Sequence, residues 1–95
     1  MIARVRELFH KLPGGSGING NWSVMTNDTN GDVIVSNTYS AMLEGMYCHD
    51  WDFQAAYRHT NEGEWEFVGL VVNEDTNSCE CGHGLKEYLE ELMPY

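Results

Sequence analysis

The sequence predicts an α+β domain: an antiparallel meander sheet of four to five strands, flanked by an N-terminal and a C-terminal helix. Three observations carry this. Apolar residues recur at helical spacing at the two ends of the chain. Between them, short alternating apolar runs follow one another, separated by closely spaced turn signals. Consecutive strands joined by such short turns pair antiparallel, which leaves the helices to pack on one face.

The elements follow in order. Ile2, Val5, Leu8, Phe9 and Leu12 mark a helix that Pro13-Gly14-Gly15 stops. The run "PGGSGINGN" reads as a flexible linker of Gly, Ser and Asn. "NWSVMT" and "DVIVSN" are strands, with Asn30-Gly31 at the tip of the hairpin between them. "TYSAMLEGMYCHD" fits either a strand or a short helix ending at Gly45, and the flanking β signals favour the strand. "WDFQAAYRH" alternates Trp51, Phe53, Ala55 and Tyr57. After the turn "NEG", the strand "EWEFVGLVV" is apolar on both faces towards its end, which predicts a central position. Leu85, Tyr88, Leu89 and Leu92 mark the last helix, halted by Pro94.

Ninety-five residues make one domain, residues 1–95. Such a chain buries only about 60–65% of its unfolded surface, so the core is thin. An apolar content of 42% with 12% aromatics excludes disorder. No run approaches the length of a membrane span, and "MIARVRELFHKLPGG" lacks the apolar core of a signal peptide. Three cysteines, an odd number, do not close a disulfide framework, so a reducing cytoplasmic setting is expected.

The net charge is −10. From Pro13 onward, fourteen carboxylates face only Arg58 and Lys86, which gives −12. That density repels nucleic-acid phosphates and attracts basic surfaces. On this ground direct nucleic-acid binding is not expected, and a basic protein partner is. The bland alternative is that the charge only keeps a small protein soluble.

One constellation could hold a metal. In "NSCECGHGL" alternate residues of an extended loop point the same way, so Cys79, Cys81 and His83 can converge. Gly82 and Gly84 let the backbone curl around an ion. The fourth ligand comes from "YCHD", as Cys48 or, in its place, His49. The expectation is a structural zinc site of Cys48, Cys79, Cys81 and His83, since a full protein shell leaves no position for a substrate. Against it stand a buried core thiol at Cys48 and a plain turn at Cys79–Cys81. A redox pair is disfavoured because the motif is Cys-x-Cys rather than Cys-x-x-Cys.

A second constellation is acidic: Asp50, Asp52, Glu62, Glu64 and Glu66. On a strand, Asp50 and Asp52 share a face, as do Glu64 and Glu66. The readings rank as a solvated surface, then a decoy imitating a row of phosphates, then hydrolytic catalysis. "NDTNGD" lacks the flanking helices and twelfth-position Glu of a calcium loop. There is no Gly-x-Ser-x-Gly elbow and no phosphate-loop Lys, so no enzymatic motif is present.

As a type — one short, strongly acidic domain without a catalytic motif — the chain resembles the small acidic anti-CRISPR proteins of phages. The resemblance implies an inhibitor that binds an RNA-guided effector nuclease and blocks its access to DNA, acting in the host cytoplasm as a monomer or weak homo-oligomer. It assigns no residue; the zinc ligands and the acidic partner-binding set are read from the residues themselves. The alternative expectation is a small zinc-stabilised accessory or regulatory domain with no inhibitory role.

Overall fold

The computed structural model describes residues 2–27, 29–73 and 84–94. Helix α1 spans Ile2–Lys11. Leu8 is fully buried, with Val5 and Leu12 packed partly against the same core. His10 and Lys11 lie in its last turn, where cations suit the negative end of the helix dipole.

Four strands form one sheet in the order of the chain: β1 (Ser23–Thr26), β2 (Asp32–Leu43), β3 (Met46–His59) and β4 (Trp65–Val72). Every pairing is antiparallel. Helix α2 (Leu85–Leu92) follows. The expected α+β meander with a helix at each end is the fold. No described helix is long and apolar enough to cross a membrane.

The segment that fits either a strand or a helix divides into the ends of two long strands. Glu44 (φ 54°) and Gly45 (φ 80°) form a two-residue loop, and Leu43 pairs with Met46 across it. Two successive positive φ values are the type I′ geometry that matches the twist of paired strands. Asn-Gly is its usual sequence; Glu-Gly is not, so the turn hides inside what reads as one continuous strand.

The expectation that "EWEFVGLVV" is central is corrected. β4 is an edge strand, and β2 and β3 are the central pair. The cause is a bulge: Ala56 pairs with Gly69 but Tyr57 pairs with Phe67, which leaves Val68 as the extra residue. A bulge shifts side-chain alternation by one position. Trp65 and Phe67 face the core before it, and Leu70 and Val72 after it. The strand therefore looks apolar on both faces although Val68 and Val71 are exposed.

The glycine-rich run is pinned rather than flexible. Ile18 is buried in the core and forms a bridge with Tyr39. Asn19 N donates to Thr38 O and Ser40 N to Gly17 O, so the run covers the edge of β2 beyond the short β1. Gly17 has φ +90°, and a Cβ there would lie 2.8 Å from Tyr39 Cε2. Trp22 Nε1 donates to Pro13 O, which ties the two ends of the run together.

Leu8 of α1, Leu85 and Leu89 of α2, and Met93 join Val33, Val35, Phe53, Ala55 and Tyr57 in a single core cluster. Both helices thus cover one face of the sheet. No described helix lies on the opposite face.

Candidate functional site

Alternation assigns the uncovered face. On β3 it presents Asp50, Asp52, Gln54, Ala56 and Arg58, because Trp51, Phe53, Ala55 and Tyr57 point inward. On β2 it presents Ser40, Thr38, Ser36, Ile34 and Asp32 at the paired positions. Hydroxyl residues therefore face Asp50, Asp52 and Gln54 in three consecutive rungs.

Two rungs are joined by hydrogen bonds. Ser40 Oγ donates to Asp50 Oδ1 and Thr38 Oγ1 to Asp52 Oδ1, each at 3.0 Å. Each carboxylate is oriented by its cross-strand neighbour and keeps its second oxygen for solvent or a partner. Along β3 the two lie two residues, or about 7 Å, apart. That spacing is of the same order as successive phosphates on a nucleic-acid strand.

This register depends on a second bulge. Met42 pairs with Tyr47 but Ala41 pairs with His49, so Cys48 is the extra residue. Without it, the hairpin closed at Glu44–Gly45 would set Ser40 opposite His49 and Thr38 opposite Trp51. The hydroxyls would then face inward-pointing aromatic residues instead of carboxylates. A one-residue shift exchanges the two faces of a strand.

The five acidic residues named from the sequence do not form one surface. Asp50 and Asp52 lie at one end of the open face. Glu66 pairs in register with Arg58, six residues or about 20 Å further along β3. The neutral residues Ile34, Ala56 and Gly69 lie between, in register across three strands. Glu62 and Glu64 fall in the turn before β4, not on the strand. Glu64 Oε2 lies 3.9 Å from Lys11 Nζ at the end of α1.

Beside Glu66, Arg58 grips Asp32 through Nε to Oδ1 at 2.8 Å and Nη2 to Oδ2 at 3.3 Å. The hydrogen bond and charge of Asp32, with a smaller contribution from Glu66, hold the Arg58 pKa above its ordinary value. Arg58, the one cation on this face among the described residues, is thus engaged by its own chain.

Of the expected zinc ligands, Cys48 sits half-buried at the bulge. Its Sγ lies 3.3 Å from His49 Nδ1, and the His49 ring packs on Trp51 with centroids 4.8 Å apart. The bulge therefore brings the two alternative fourth ligands side by side. Cys79, Cys81 and His83 lie outside the described residues. Among the described residues, no group of three His, Cys, Asp or Glu side chains is placed to hold a metal ion.

Residues not singled out from the sequence complete the site. Asp52 borders two shallow depressions of the open face, of about 450 and 430 Å³. Asn19, Asn21 and Gln54 line the first, and Gln54, Val71 and Asn73 the second. The asparagines come from loops, where nothing in the sequence distinguishes a site residue from a turn former.

Comparisons with protein-family models, with characterised proteins and with solved structures find no match.

Proposed function

We propose that this chain is a small acidic inhibitor, stabilised by a structural zinc site, that binds a basic nucleic-acid-processing effector in the manner of an anti-CRISPR protein and blocks its access to DNA. The observation that carries the reading is the oriented carboxylate pair of Asp50 and Asp52 on the sheet face that no described helix covers. Two carboxylates held by Thr38 and Ser40, at a spacing close to that of successive phosphates, can occupy cationic positions that otherwise hold a nucleic-acid backbone. The net charge of −10 supports it by steering the chain toward basic surfaces and away from nucleic acid.

The test is DNA cleavage by purified guide-loaded nucleases, with this chain added before or after the DNA. The reading expects inhibition only on prior addition, weakened by salt. A D50N/D52N variant is expected to lose most of the inhibition while keeping its fold, because Asn Oδ1 still accepts from Thr38 and Ser40. Full inhibition by that variant would remove this face from the mechanism. Tight binding to duplex DNA would end the inhibitor reading altogether.

The second reading, a zinc-stabilised accessory domain, is favoured by the soft sulfur and nitrogen donors of Cys48 and His49 at the bulge. It expects a metal-dependent fold and no effect on any nuclease. The two readings share the zinc and differ on inhibition.

A further inference from the structure

The two depressions of the open face meet at Asp52. They lie across the strands rather than along them, from Asn21 beside β1, past Thr38 and Asp52, to Asn73 at the end of β4. Among the described residues, Asp52 is the only charged side chain in either lining. One carboxylate oxygen is fixed by Thr38 Oγ1, and the Asp52 backbone is fixed by Asn73 N donating to its carbonyl at 2.9 Å. The other polar side chains of the described lining are neutral amides and hydroxyls.

We infer that this transverse groove is a subsite for an extended peptide segment carrying one arginine, whose guanidinium is received by Asp52. The inference rests on the inhibitor reading and specifies the element of the partner that this face takes. A guanidinium presents five donors and no acceptor, and the groove answers with the free oxygen of Asp52 and the amide oxygens around it. Gln54 and Asn21 carry both a donor and an acceptor, which is what the N–H and C=O groups of an extended backbone require. Val71, 69% exposed at the β4 side, offers apolar contact to a neighbouring side chain of the segment.

Other ligand classes fit less well. A saccharide is bound on an exposed aromatic ring, and the one aromatic residue among the described lining, Phe53, is 2% exposed with its side chain on the covered face. A phosphate group is repelled by Asp52. A lysine ammonium is a compact, strongly hydrated charge that makes no bidentate contact, so it is the weaker of the two basic side chains here.

The test is an NMR titration of the isotope-labelled chain with acetyl-Gly-Val-Arg-Val-Gly-amide at physiological ionic strength. Parallel titrations replace the arginine by lysine or by its neutral isostere citrulline. The expected result is saturable shifts at Thr38, Asp52, Gln54 and Asn73, weaker with lysine and lost with citrulline. Asp52→Asn is expected to weaken the arginine peptide by about tenfold, the scale of one hydrogen bond to a charged group. Equal binding of citrulline, shifts spread over Glu62, Glu64, Glu90 and Glu91, or no saturable binding would each overturn the assignment. If Asp52→Asn disturbs the spectrum of the free protein, the citrulline arm decides. Failure here with nuclease inhibition intact would discard the groove and keep the inhibitor reading; arginine binding without inhibition of any nuclease would do the reverse.

Discussion

Arg58 holds Asp32 through two bonds across the first rung of the β2–β3 ladder, and Asp32 is only 7% exposed. Asp32 also closes the β1–β2 hairpin, where its carbonyl accepts from Asn27 N at 2.7 Å. Removing Arg58 leaves a carboxylate that is shielded from water and has lost its cation, which is the costly way to break such a pair. Arg58→Gln is therefore expected to lower the melting temperature, and Asp32→Asn added to it to restore part of the loss. Because Asp32 raises the Arg58 pKa, the folded state favours the protonated guanidinium. That contribution is present below the ordinary arginine range and lost only above it. Neutral and mildly acidic buffers leave the Arg58 side of the pair charged. Lys11→Ala, which breaks an exposed contact at 3.9 Å, is expected to change nothing measurable in the same melts.

Gly17 is required twice over. Its φ of +90° is a conformation that L side chains rarely adopt, and an added Cβ would meet the Tyr39 ring at 2.8 Å. Gly17→Ala is expected to cost about 1–3 kcal/mol, combining backbone strain with overpacking. For a domain of this size that lowers the melting temperature by roughly 5–20 °C. Gly20 lies in the same run, with no positive φ and nothing within 4 Å of an added Cβ. Gly20→Ala should leave the melt nearly unchanged, and equal losses in the two variants would show that Ile18 is not anchored through Gly17.

The fold class was legible in the sequence because the core alternation of Trp51, Phe53, Ala55 and Tyr57 and the helical spacing of Leu85 and Leu89 survive intact. What was not legible traces to single residues that break a period. Val68 shifts the phase of β4 and makes an edge strand look central. Cys48 shifts the phase of β3, so the facing of Ser40 with Asp50 and of Thr38 with Asp52 cannot be counted from the turn. Ile18, a lone apolar residue among glycines, belongs to no period at all, yet it is core. The period of two places Asp50 and Asp52 on one face, but it carries no sign of the hydroxyls of Ser40 and Thr38 that orient them.

Glu44 occupies the first position of a type I′ turn with φ 54°, the only non-glycine residue with positive φ among those described. Left-handed backbone costs a residue with a Cβ about 1–2 kcal/mol, and Asn bears less of that cost. Glu44→Asn is expected to stabilise the chain by roughly 0.5–1 kcal/mol without altering the Leu43–Met46 register. A chemical denaturation series with unchanged slope and a higher midpoint would confirm it. A lower midpoint would indicate that the Glu44 side chain has a role that outweighs its backbone cost.

Cys48 and His49, with 3.3 Å between Sγ and Nδ1, offer a direct way to separate the proposed zinc knot from a plain thiol–imidazole contact. A structural zinc ion is bound by thiolates, so its retention depends on pH and on chelators, and its binding energy adds to folding. Protein purified without chelator is expected to carry about one zinc per chain, and chelation to lower the melting temperature. Protons compete for the ligands, so the metal-dependent part of the stability is lost as pH falls. Cys81→Ser is expected to abolish metal retention with either fourth ligand. Cys48→Ser and His49→Ala then assign that ligand: the variant that loses the ion names it, and the other keeps it. A zinc-free chain whose melt does not respond to chelator would leave Cys48 as a half-buried thiol whose structural part is the bulge itself. In that case Cys48→Ser should preserve the register that sets Ser40 against Asp50, because a bulge needs the extra residue and not its sulfur.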